Sequence, residues 1–214
     1  MRGRPLGASP ADRAICVNFA GLPDLNKINP YYGAMEARLI CHPKTPCDAI
    51  SSIEVALAVA ADDTLSMEFK MTGHVEALLV PAPAPAVRRD NLWAHTCCEM
   101  FAAPAGRTEY MEYNFSPSTE WAAYAFSAYR DDMTTANLAT DPIISTQANS
   151  DLFKLRASNV RVPFARDSLK IGVSVVIEEI GGRLSYWALT HPSEQPDFHH
   201  RDGFELDASA LEVS

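Results

Sequence analysis

The residues most able to do chemistry lie in the stretch LWAHTCCEMF, residues 92–101. A β-strand turns successive side chains to opposite faces. Read as a strand, the stretch puts Trp93, His95, Cys97, Glu99 and Phe101 on one face, and Leu92, Ala94, Thr96, Cys98 and Met100 on the other. The second face is small and apolar and suits packing between sheets. The first joins an aromatic plate, an imidazole and a carboxylate. That combination fits a sugar, whose C–H face stacks on Trp while its hydroxyls seek charged acceptors and donors. The alternative is structural: Trp93 packs in the core, and His95 and Glu99 satisfy backbone groups nearby.

The stretch EYMEYNF, residues 109–115, reads as the neighbouring strand, with Tyr110, Glu112 and Asn114 alternating with Met111, Tyr113 and Phe115. One hairpin register gathers Glu112 and Asn114 with Trp93 and Glu99. A one-residue slip sends them to the opposite side. Trp121 stands either as a second aromatic wall or as a core residue, since aromatics bury large areas. Arg130 precedes two aspartates, which suits an ion pair or a clamp for a carboxylate or phosphate.

The third rich stretch is SYWALTHPSEQPDFHHRDGF, residues 185–204. Trp187 continues a strand that ends at Leu189, and Pro192 and Pro196 stiffen the loop after it. His191, His199, His200 and Asp197 are ligand types for zinc, which takes three or four converging groups. Adjacent His199 and His200 do not turn easily to one centre, and no thiolate motif supports them, so no metal site is expected. Asp197 is expected to cap a turn, Phe198 to plug the end of the fold, and His191 or His199 to line a mouth. No G-x-S-x-G or H-E-x-x-H motif occurs, and no third group orients Cys97 with His95, so no catalytic residues are assigned, and a small enzyme acting on a sugar-like substrate by His and carboxylate acid–base chemistry is the lesser alternative.

The elements that position these residues follow a period of two. TLSMEFKM buries Leu65, Met67, Phe69 and Met71 on one face, and SIEVALAV does the same with Ile53, Val55, Leu57 and Val59. HVEALLV, DLFKLRASNVRVPF and SLKIGVSVVIEE read as further strands, and WAAYAFSAYR as a strand followed by a short turn. EEIGGRLSYWAL signals a hairpin, with Gly181-Gly182 supplying the positive φ of a tight turn. PAPAPAVRRD is a loop or edge, and residues 131–150 are polar and aperiodic, so a long surface loop is expected. About nine strands without a long helix predict an all-β fold, a two-sheet antiparallel β-sandwich of immunoglobulin-like or jelly-roll-like type. Residues 1–30 are expected to be a flexible extension, and residues 31–214 a single domain.

A net charge of −9 over 214 residues argues against nucleic acid, whose phosphates call for clustered Lys and Arg. No apolar run of about 18 residues occurs, so no membrane span is expected. The first residues lack the apolar core of an export signal. The five cysteines cannot all pair, and free thiols suit a reducing cytoplasm.

Several blocks resemble the DOMON-like bacterial proteins, relatives of the family 9 carbohydrate-binding modules. They are CHPKTP at 41–46, RRDNLWAHTCCEMF at 88–101, YMEYNFSPSTEWAAYAFSAYRDDM at 110–133, LKIGVSVVIEE at 169–179 and SYWALTHPSEQPDFHHRDGFEL at 185–206. They occur in order across residues 39–212. The resemblance implies a two-sheet antiparallel sandwich that binds a small ligand without catalysis. In the family 9 pattern a Trp and an acidic residue flank the strand matched here by Trp93 through Glu99, and a closing "FH" is matched by Phe198-His199. One departure stands out: where family 9 modules usually carry an Asp, this chain has His95 or Thr96.

The expected ligand is a saccharide or similar small polar molecule, held by Trp93, His95, Glu99, Glu112, Asn114, Trp121, Arg130, Trp187, His191 and His199. The wider superfamily also implies haem as a competing cofactor, with Met100, Met111 and Met133 available as axial ligands. Met100, on the apolar face, is expected in the core.

Overall fold

The computed structural model describes residues 34–212, so the expected extension over residues 1–30 lies outside the described residues. The fold is nearly all-β. Its strands are β1 (Met35–Cys41), β2 (Ile50–Val59), β3 (Leu65–Gly73), β4 (Cys97–Pro104), β5 (Tyr110–Phe115), β6 (Trp121–Phe126), β7 (Thr134–Thr135), β8 (Ile143–Ala148), β9 (Leu152–Val160), β10 (Leu169–Glu178), β11 (Leu184–Ala188) and β12 (Leu206–Asp207). They form one curled antiparallel sheet in the order β7-β6-β5-β4-β10-β11-β1-β2-β3-β9-β8, with β12 added beside β10. Strand β1 joins its two halves, pairing with β2 through residues 35–39 and with β11 through Ile40 and Cys41. Among the described residues no helix is long and apolar enough to cross a membrane.

The period-two reading of β2 and β3 holds: Ile53, Leu57, Val59, Met67, Phe69 and Met71 are fully buried. They share one core with Cys98, Met100 and Ala102 of β4 and with Val173, Val175 and Ile177 of β10. Each such side chain contributes roughly 1.5–3 kcal/mol by leaving water. The β10–β11 hairpin turns at Gly181 and Gly182, with φ of 105° and 83°, conformations that favour glycine. Glu179 N–H donates to the Arg183 carbonyl at 2.9 Å to close it.

Two expectations about elements are corrected. HVEALLV is not a strand but a 3₁₀ turn, Val75–Ala77, followed by a single bridge between Leu78 and Glu179. The flanking ladders have run out there, since Gly73 is opposite Ile50 at the start of β2 and Thr72 is opposite Leu152 at the start of β9. Conversely, residues 131–150 contain β7 and β8 rather than an unbroken loop. Strand β8 pairs only with β9 and buries only Ile144, so the composition of this edge carries no alternation to read.

Candidate functional site

Strand β4 carries two different surfaces. Cys98, Met100 and Ala102 enter the main core, while Cys97, Phe101 and Ala103 enter a second, smaller apolar cluster with Tyr110, Tyr124, Phe126 and Phe204. Glu99 lies on this second face. Glycine is required beneath the cluster, because a Cβ on Gly172 of β10 would meet the Phe204 ring at 2.6 Å.

The β4–β5 register places Glu99 opposite Asn114, Met100 opposite Tyr113 and Phe101 opposite Glu112. Of the two registers open to the sequence, this is the one that gathers the polar set on the face of Glu99. The next ladder sets Glu112 opposite Tyr124 and Tyr110 opposite Phe126. Above this face lies an open cavity of about 700 Å³. Glu99, Glu112 and His199 line it together with the aromatic side chains of Trp93, Tyr124, Phe126, Tyr186 and Phe198. Asp90, Asn91, Arg130 and Met133 contribute to its rim.

Both glutamates are almost entirely removed from water, at 3% and 6% exposure. Glu99 accepts a hydrogen bond from Ser174 Oγ at 3.0 Å, and Glu112 accepts one from Asn114 Nδ2 at 2.6 Å. Burial, reinforced by the nearby charge of Glu112, pushes the Glu99 carboxyl up to about 8. Burial also raises Glu112. The pair therefore holds a proton at neutral pH, when ordinary carboxylates have lost theirs.

His199 is placed by the residues around it. The Tyr110 hydroxyl accepts from the Arg130 N–H at 3.1 Å and lies 2.8 Å from His199 Nδ1. With an N–H already directed at its oxygen, the hydroxyl satisfies the ring by donating to Nδ1, which leaves the proton on Nε2. That nitrogen faces Glu112 Oε2 at 3.6 Å. Burial, with the Arg130 charge nearby, lowers the His199 pKa to about 4, so the imidazole is neutral at physiological pH.

Arg130 has φ of 53° and donates from Nη2 to Asp197 Oδ1 at 3.0 Å. The Tyr129 hydroxyl donates to Asp197 Oδ2 at 2.7 Å, and the His199 N–H donates to Oδ1 at 3.2 Å. Burial alone would raise Asp197, but the Tyr129 and Arg130 donors hold its carboxyl below the usual range. Asp197 thus fastens the loop of residues 190–200 over the end of the sheet and presents Phe198 and His199 to the cavity.

The structure brings Trp93, Glu99, Glu112, Arg130 and His199 around one cavity, with Asn114 bonded to Glu112 beneath it. Trp93 gets there differently from the sequence reading. It sits on the 3₁₀ turn Leu92–Ala94, ahead of β4, and is 52% exposed. Asn91, with φ of 63°, reverses the chain before that turn. His95 follows the turn and is not among the residues that line the cavity; its Nδ1 lies 2.7 Å from Glu178 Oε2. Trp121 and Trp187 are packed in the main core. Trp187 Nε1 donates to Ser185 Oγ at 3.2 Å. His191 lies elsewhere, with Nε2 at 2.8 Å from the Ile40 carbonyl and its ring edge-on to His42.

Asp90, Tyr124 and Tyr186 were missed as site residues. Tyr124 donates to Asp90 Oδ1 at 2.7 Å, and Asp90 in turn pairs with Arg88. The sequence signal for Tyr124 was its place two residues before Phe126 on an aromatic-rich strand. Asp90 and Tyr186 carried no signal, because the chain brings them to the cavity only through tertiary packing.

Among the described residues no group of three or more His, Cys, Asp or Glu is placed to hold a metal ion. Of the methionines expected as haem ligands, only Met133 borders the cavity. Met100 and Met111 are enclosed in the main core, and the cavity that Met133 borders is floored by two buried carboxyls rather than an apolar slot.

No protein-family model matches the chain, and no curated protein matches it. Among solved structures, it is similar to a protein from Bacteroides uniformis assigned a carbohydrate-binding role, with a TM-score of 0.55 at 16% identity over 81% of this chain and 85% of that one. It is also similar to a family 9 carbohydrate-binding module from Caldicellulosiruptor kristjanssonii in complex with glucose, with a TM-score of 0.50 at 11% identity over 90% of both chains. These likenesses establish a fold of this class over most of the chain.

Proposed function

We propose that this chain is a saccharide-binding module of the DOMON-like group related to family 9 carbohydrate-binding modules, and that it binds without catalysis. One observation carries the reading: a concave cavity of about 700 Å³ that sets an exposed Trp93 and other rings beside buried Glu99 and Glu112. Rings offer stacking area to the C–H face of a pyranose, and the carboxyls, Asn114 and His199 offer acceptors and donors for its hydroxyls. Glucose bound in the family 9 neighbour supports a carbohydrate ligand. The ligand-binding set is Trp93, Glu99, Glu112, Arg130 and His199, with Tyr124 and Tyr186 as added walls.

The curled sheet is then a two-layer sandwich turned at β1, a reading supported by the main core, which takes side chains from both halves. A reducing, cytoplasmic setting is supported by the cysteines among the described residues, Cys41, Cys47, Cys97 and Cys98, all of which are free thiols.

The test is a thermal-shift panel of mono- and oligosaccharides against the protein and Trp93→Ala. A sugar present at 100 times its Kd adds about 2.7 kcal/mol to the folded state. A raised midpoint that disappears in Trp93→Ala supports the reading, and a flat panel on a cooperatively melting protein rejects it.

A further inference from the structure

Resting on the saccharide reading of the cavity, we infer that the ligand is an amino sugar with a free amine, its ammonium seated between Glu99 and Glu112. The charges around the cavity point one way. Glu99 and Glu112 supply two carboxyls that pair with no described Lys or Arg, Asp90 adds a third that is already paired with Arg88 at 2.7 Å, and Arg130 is the only Lys or Arg among the lining residues. Arg130 is already paired with Asp197 at 3.0 Å, and His199 is neutral. A sugar carrying a carboxylate would therefore meet acids without an uncommitted cation.

The two glutamates also have the geometry to hold an ammonium. Glu99 is opposite Asn114 and Glu112 is opposite Phe101, so they are diagonal neighbours on one face of adjacent antiparallel strands. Each has one oxygen engaged, by Ser174 and by Asn114. The other oxygen of each accepts no hydrogen bond among the described residues, though His199 Nε2 approaches Glu112 Oε2 at 3.6 Å. An ammonium has three N–H donors and takes two such acceptors at once. It also supplies the positive charge that two neighbouring buried carboxylates need to ionise together. A neutral hydroxyl supplies none. The rings on the walls favour the same sign of charge, since the face of an aromatic ring attracts a cation.

The experiment is isothermal titration of the full chain at neutral pH with glucosamine, N-acetylglucosamine, glucose and glucuronic acid. Glu99→Gln and Glu112→Gln follow, with their melting curves recorded alongside. The expected result is glucosamine binding roughly ten-fold or more tightly than glucose or N-acetylglucosamine, and glucuronic acid binding most weakly. That preference should narrow in either variant. Equal affinity for glucose and glucosamine, or tighter binding of glucuronic acid, overturns the amine assignment while leaving the saccharide reading intact. Binding of no sugar by the folded wild-type chain overturns both. The wild-type panel decides the matter even if a glutamine variant fails to fold.

Discussion

The two faces of β4 make an instructive contrast. One face, Cys98, Met100 and Ala102, is apolar and sealed in the main core. The other is equally buried by area, yet it holds Glu99 between Cys97 and Phe101, with Glu112 on the next strand. A fold gains little from desolvating two adjacent carboxyls, because each loses water and each raises the cost of ionising its neighbour. The first face maximises stability, whereas the second gives some of it up to hold two carboxyls beside the cavity.

That contrast can be broken from the stable side first. Met100→Ala should lower unfolding free energy by about 2–5 kcal/mol in a denaturant titration, with affinity per folded molecule retained. A loss below about 1 kcal/mol would mean that the core face tolerates cavities as a surface does.

The second face should show itself in pH dependence. The Glu99 carboxyl stands at about 8 in the folded protein against an ordinary 4.5. Between those values the folded state binds more protons than the unfolded state, so stability falls as pH rises. This term's slope approaches about 1.4 kcal/mol per pH unit, and it flattens once both states are ionised. Glu99→Gln should remove that slope in melts recorded across the window. An unchanged profile would show that Glu99 is ionised throughout.

Gly172→Ala probes the seam under the second cluster. The added methyl displaces the Phe204 ring and should cost about 1–3 kcal/mol by chemical denaturation. It should also disturb ligand affinity more than Met100→Ala does, because Phe204 packs against Phe101 and Tyr110, whose rings in turn pack against the cavity-lining His199 and Phe126. The smallest stability effect belongs to Trp93→Ala, within about 0.5 kcal/mol for a half-exposed side chain on a turn. A large loss of stability there would make Trp93 a packing residue and weaken its assignment to the ligand.

Local pattern made much of this legible. Alternation in β2, β3, β4 and β5 carried the burial of Ile53, Phe69 and Met100, because a strand's period of two is a property of the backbone itself. Gly181-Gly182 announced its hairpin for the same reason: φ is a local variable. Asp197 was legible from a proline-stiffened loop with an acid positioned to bond the backbone two residues on. The edge strand β8 was not legible, because it buries one residue and leaves no period behind.

Tertiary structure decided the rest. Trp121 and Trp187 look as suitable for stacking as Trp93, yet a core enclosing both sides takes the first two and leaves the third on a turn. His95 and His199 are equally plausible imidazoles. One meets Glu178 outside the cavity, while the other is held inside it by Tyr110, which is 89 residues away along the chain. Residue types and their alternation determined that this chain forms a β-rich fold with acids and rings on one strand face. Hairpin register and the return of the 190–200 loop, both set by contacts distant in sequence, determined which of those residues share a cavity.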